Sequence, residues 1–152
     1  MAKLKSTGII GTSNPVALQR LVWLNIALHF GRRGQEGYRE MTLNTFVVKL
    51  DAGGRRYLEQ CQSEVTKNHK GDKVGNSYRP QGRIYEIIND DCCPIRAYEL
   101  YLSLLNGEIN SLWQRPNKDY ARTGNWYHLR VIGKHTLGDF LKNMCCRCGN
   151  HH

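Results

Sequence analysis

The chain has 152 residues, 40% of them hydrophobic, which suits one ordinary domain with a buried core and excludes a disordered polypeptide. Its 22 Lys and Arg against 13 Asp and Glu leave a formal charge of +9, a balance that favours a polyanionic partner, nucleic acid being the commonest. The opening residues read as lacking a secretory signal, and the most apolar window, Leu21 to Phe30, is too short and too interrupted by Asn25 and His29 to cross a bilayer.

In chain order, Asn14-Pro15 predicts a helix start: an Asn cap followed by Pro at the first helical position. The run VALQRLVWLNIALHF is apolar on nearly every side and predicts a buried central helix ended by Gly31. A charged stretch, GRRGQEGYREM, follows. TFVVKL, the four-residue turn Asp51 to Gly54, and RRYLEQCQSEVT then predict a β-hairpin whose register the loop length leaves open. Residues 68–81 read as a polar loop and GRIYEIIN as a third strand. Pro94 opens a second helix with Ile95, Tyr98, Leu102 and Leu105 at helical spacing, and residues 106–125 read as loop. A last helix is expected from Thr136, where Thr-x-x-Asp139 has the form of a capping box, with Leu137, Phe140, Leu141, Met144 and Cys145 as its apolar stripe.

Two features carry candidate chemistry. Arg32 and Arg33 follow the end of the buried helix, where packing does not require them. A guanidinium holds phosphate with two parallel hydrogen bonds, whereas the plainer reading is a solvated helix end complementing the dipole. Lys67, Lys70 and Lys73 cluster after the second strand, as phosphate contacts or as a solvated loop.

The run F-G-x-R-G-x-E-x-x-R resembles the first motif of tyrosine recombinases. More widely, the chain is similar to the Crypton-derived recombinase domains of MYM-type zinc-finger proteins. Four further landmarks occur in the same order: Gly8 to Pro15, a hairpin ending in Val65-Thr66-Lys67, C-C-P-I-R-x-Y-x-x-Y from Cys92 to Tyr101, and Trp126 to Cys145. The resemblance implies an α+β class: a mostly helical tyrosine-recombinase catalytic-domain fold with a small antiparallel three-stranded sheet, cut short at the C-terminus. It implies one partial domain over 1–152, led in by residues 1–14 and closed by 149–152. By the same resemblance, Arg33 is the catalytic Arg that would clamp the scissile phosphate, Glu36 its motif partner, and Lys67 the general acid of the hairpin. Arg32 replaces an apolar residue usual beside the family's Arg. The family's His-x-x-Arg motif and nucleophilic Tyr should follow the last helix, yet all eight tyrosines stand at or before Tyr127. His151 either begins that motif or belongs to an added terminal pair.

The expected function is therefore DNA binding in the nucleus by a domesticated recombinase domain without strand cleavage, through Arg32, Arg33, Lys67, Lys70 and Lys73. The alternatives are a scaffold module with nuclear protein partners and a fragment of an active DNA strand-exchange enzyme. No cofactor is expected. The Cys-Cys-Arg-Cys-Gly-Asn-His-His tail lacks the spacing of a standard zinc finger, so no metal is expected either. The six cysteines, in adjacent groups apart from Cys61, are expected as reduced thiols. Trp23 and Trp113 are expected in the core, and Trp126, between Arg122 and Arg130, has the surroundings of a stacking residue.

Overall fold

The first long element is set by its cap. A computed structural model describes residues 2–30, 37–61 and 82–149, with side chains followed as far as Arg147. After a short helix α1 (Ala2–Ser6), helix α2 (Pro15–Phe30) begins where the Ala17 amide donates to Asn14 Oδ1 at 2.9 Å, the cap that Asn14-Pro15 predicts. Ten of its 16 residues are buried, on no single face, because the rest of the domain wraps it.

Strands β1 (Phe46–Leu50), β2 (Arg56–Gln60) and β3 (Arg83–Tyr85) form an antiparallel sheet in the order β1-β2-β3. The register aligns Val48, Leu58 and Ile84 across the sheet, and Leu58 and Ile84 are buried on its inner face. Lys49, Tyr57 and Tyr85 align on the other face, where Arg83 covers the Tyr57 ring and Arg55 the Tyr85 ring. The hairpin turn takes five residues, Asp51 to Arg55, rather than four. Asp51 Oδ1 accepts from the Gly53 and Arg55 amides, and Gly54 supplies the left-handed residue at φ 80°. The third strand is shorter than GRIYEIIN suggests. After Glu86 the chain turns away through Asn89 at φ 60°, and the Asp90 carboxylate accepts the Cys92 amide, leaving Ile87 and Ile88 exposed.

Helix α3 (Pro94–Leu104) starts at Pro94 as read, but its buried stripe is Ile95, Ala97, Tyr98 and Tyr101, with Leu102 and Leu105 only half-buried. Tyr101 wins the inward position because its hydroxyl finds partners there: it donates to the Leu112 carbonyl at 2.5 Å and accepts from Gln19 Nε2 at 3.0 Å.

Residues 106–125 are not all loop. They hold β4 (Gln114–Pro116) and a short helix α4 (Tyr120–Thr123), and β4 pairs antiparallel with β5 (Tyr127–Val131). Polarity hid the strand. Gln114 is fully buried, and its amide closes onto the Asn106 amide and carbonyl at 2.7 and 2.8 Å, so a polar residue occupies a core position.

The C-terminal helix is broken in two. Helix α5 (Lys134–Gly138) has Gly133 at its cap position, which puts Thr136 inside the helix and rules out the expected capping box. Asp139 interrupts the run, and helix α6 (Phe140–Gly149) follows. Leu137, Phe140 and Met144 are buried as expected, whereas Leu141 and Cys145 are exposed, because the break reorients the face. Trp23 and Trp113 sit in the core. Among the described residues no helix is long and apolar enough to cross a membrane.

Candidate polyanion-binding cleft

Arg32, Arg33, Glu36, Lys67, Lys70 and Lys73 all lie outside the described residues. The cations that the described structure does bring together are others; of these Arg39 closes the F-G-x-R-G-x-E-x-x-R run and Arg130 lies within the Trp126 to Cys145 landmark, and the rest belong to no motif.

A cleft of about 1020 Å³ opens where the start of α2, the β4–β5 ribbon and the α5–α6 break meet. Two polar ties hold these parts in place. The Tyr127 hydroxyl donates to the Pro15 carbonyl at 2.7 Å, joining β5 to the α2 N-terminus. Gln19 Nε2 donates to the Gln114 carbonyl at 2.7 Å, joining α2 to β4. Asn117 fixes the ribbon's loop: its Nδ2 donates to Thr123 Oγ1 and the Asn125 carbonyl, and its Oδ1 accepts the Asp119 amide.

Among the described residues, five cations line this cleft, Arg20, Arg39, Arg115, Lys118 and Arg130, and no Asp or Glu does. Strand alternation explains Arg115, which points out of the sheet while its neighbour Gln114 points in. Among the described residues, the carboxylates that form ion pairs do so with other cations: Asp90 with Lys5, Glu59 with Lys49, Glu86 and Glu99 with Arg56, Asp119 with Arg122. None of the cleft's five cations has an ion-pair partner there. Arg20 is the most enclosed. Burial pushes its guanidinium below the ordinary value, and the nearby positive charge of Arg147 pushes the same way. An arginine so placed still keeps its charge, so the two guanidiniums repel each other. A smaller cavity of about 570 Å³, which Arg20 and Arg147 line with Thr7 to Ile9, adjoins the first through Asn14, Val16 and Arg20.

The floor of the larger cleft is apolar, with Pro15, Pro116, Ile132 and Phe140, and its wall carries Tyr120. The Tyr120 ring leans on Trp126 at 5.2 Å between centroids with a 58° tilt. Trp126 is half-buried, and of its flanking arginines Arg122 faces Asp119 at 3.6 Å, so Arg130 is the one that borders the cleft.

Nothing among the described residues groups three or more metal-ligating side chains. Cys61, Cys92, Cys93, Cys145 and Cys146 are free thiols. Cys93 is fully buried at the start of α3; burial raises its thiol, but the Arg96, Ile87 and Ile95 amides outweigh that and leave it below the ordinary value.

The cleft as a group is not legible in the sequence, because its cations, Arg39 of the motif run and Arg130 beside Trp126 among them, are scattered between positions 20 and 130 and are gathered only by the fold. The available signal was weak: the segment Arg115 to Arg130 holds four cations against one carboxylate, Asp119. The described residues thus form a mixed α+β domain with a small antiparallel sheet and a second two-stranded ribbon beside a cation-lined cleft. Compared with known proteins, the chain matches no family model, no curated protein and no solved structure.

Proposed function

We propose that this chain is a DNA-binding domain of tyrosine-recombinase descent, acting in the nucleus by gripping the sugar–phosphate backbone. The observation that carries the proposal is the cleft whose charged lining is entirely cationic and unpaired among the described residues. Uncompensated guanidiniums in a concave site suit phosphate oxygens, and each phosphate neutralised releases counterions from DNA. The recombinase descent rests on the ordered landmarks in the sequence. A β1-β2-β3 antiparallel sheet whose β2–β3 connection carries Lys67 accords with it. In this reading Arg33 and Lys67 are inherited phosphate contacts and the cleft extends the same grip.

A second reading, a module for nuclear protein partners, is favoured by one observation: Ile87 and Ile88 stand 49% and 81% exposed side by side. The two readings separate on labelled duplex DNA titrated across a salt series with the wild-type chain and Arg33→Ala. Backbone binding predicts an affinity falling linearly in log salt, with a slope flattened by about one unit in the variant. Absence of binding at low salt would leave the protein-partner reading standing instead.

A further inference from the structure

We propose that the cleft takes an unstacked nucleotide, so that single-stranded nucleic acid is the preferred ligand of this face over duplex; the inference rests on the phosphate-binding reading above. Three observations point this way. First, the site is a hole rather than a surface. A duplex presents its phosphates on the outside of a cylinder, and contact with them needs only a charged surface. A cleft of about 1020 Å³ has the size of pockets that enclose small ligands, and a duplex backbone would leave its apolar floor uncovered.

Second, the lining divides as a nucleotide divides. Pro116 and Phe140 offer apolar contact to the faces of a base, and the cations at the rim offer partners to phosphates on either side. Thr136 and Asn143 line the same cleft, are exposed, and have no side-chain hydrogen bond among the described residues, so both are free to meet the polar edge of a base.

Third, the wall has an aromatic ring held in place. Tyr120 lines the cleft, is half-exposed, and is braced by Trp126, itself packed against the core. A ring fixed in this way stacks a base with little loss of side-chain freedom, and stacking of this kind accepts any base because each has a π-face. The Arg–Tyr pairs on the three-stranded sheet offer no such platform, because Arg83 and Arg55 already cover the rings of Tyr57 and Tyr85.

The test compares fluorescently labelled oligothymidylate of about 15 nucleotides, a length within the span of known single-strand sites, with a duplex of equal length at one salt concentration. The wild-type chain should bind the single strand at least about tenfold more tightly. Tyr120→Ala should weaken single-strand binding by about 5- to 150-fold and leave duplex binding unchanged, while Tyr120→Phe, which keeps the ring, stays close to wild type. Stacking beside Trp126 should also quench part of the tryptophan fluorescence on addition of the single strand but not of the duplex. Equal affinity for both ligands in the wild-type chain overturns the inference whether or not any variant folds. So does a folded Tyr120→Ala that binds the single strand as wild type does. Salt-dependent duplex binding in either case would leave the broader DNA-binding reading intact, and no binding to either ligand would end both.

Discussion

Tyr98 and Tyr101 lie one helical turn apart on α3, both buried, and differ in one respect that makes opposite predictions for the same substitution. The Tyr101 hydroxyl donates to the Leu112 carbonyl and accepts from Gln19. The Tyr98 hydroxyl is buried with no hydrogen-bond partner among the described residues. Tyr101→Phe strips a partner from a buried carbonyl and from a buried amide. It should therefore cost about 1–3 kcal/mol, which for a domain of this length lowers Tm by about 2–12 °C. Tyr98→Phe removes a polar group that gains nothing from being buried, and should change stability by less than about 0.5 kcal/mol or raise it slightly. Thermal unfolding followed by circular dichroism, with urea titrations to check that the m-value is unchanged, measures both. Equal losses in the two variants would refute the reasoning, since packing alone would then account for each hydroxyl.

Two further predictions follow from the same core. Burial pushes the hydroxyls of Tyr98, Tyr101 and Tyr127 well above the ordinary tyrosine value, and at Tyr101 it outweighs the opposing hydrogen bonds from Gln19 and Gln114. In the unfolded chain each ionises near pH 10, while the folded chain keeps its proton, so above that pH the folded state binds more protons. Stability is then complete below about pH 10 and falls above it, by about 1.4 kcal/mol per pH unit for each tyrosine and about 4 for the three. Alkaline denaturation monitored by tyrosinate absorbance should show one cooperative step, and Tyr101→Phe should reduce the slope by about a third. Gly82 is the other case: a Cβ there would lie 2.5 Å from the His29 carbonyl oxygen and 3.2 Å from the Phe30 ring. Gly82→Ala forces backbone apart where β3 meets the end of α2 and should cost about 1–3 kcal/mol, read as a fall in Tm.

The parts of the fold legible in the sequence were those with a local cause. Asn14-Pro15 marks a helix start because cap and proline act within one turn, and the Asp51–Gly54 turn marks a hairpin because its hydrogen bonds are local. The strand at Gln114 was illegible because its polar residue is satisfied by Asn106, eight residues away, which composition does not reveal. The C-terminal break was illegible as well: Thr136 and Asp139 have capping-box spacing, but the helix starts earlier, at Lys134 after Gly133, and Asp139 falls at its end. Tyr101 was passed over in favour of Leu102 because hydrophobicity alone ranks leucine higher, while the site rewards a hydroxyl. The motif arginine and lysine were legible as residue types, and the cleft was not, since Arg20 and Arg130 come to line one cleft only when β5 is tied to the start of α2.

The central claim is that the cleft's unpaired cations, rather than net charge, hold nucleic-acid phosphates. The most direct measurement compares salt-dependent binding for Arg115→Gln/Arg130→Gln with that for Lys3→Gln/Lys49→Gln, a pair that removes the same charge away from the cleft. The account predicts a slope flatter by about two units for the cleft pair and little change for the other. Equal losses in both double variants would show that the charge acts only in bulk and would contradict it.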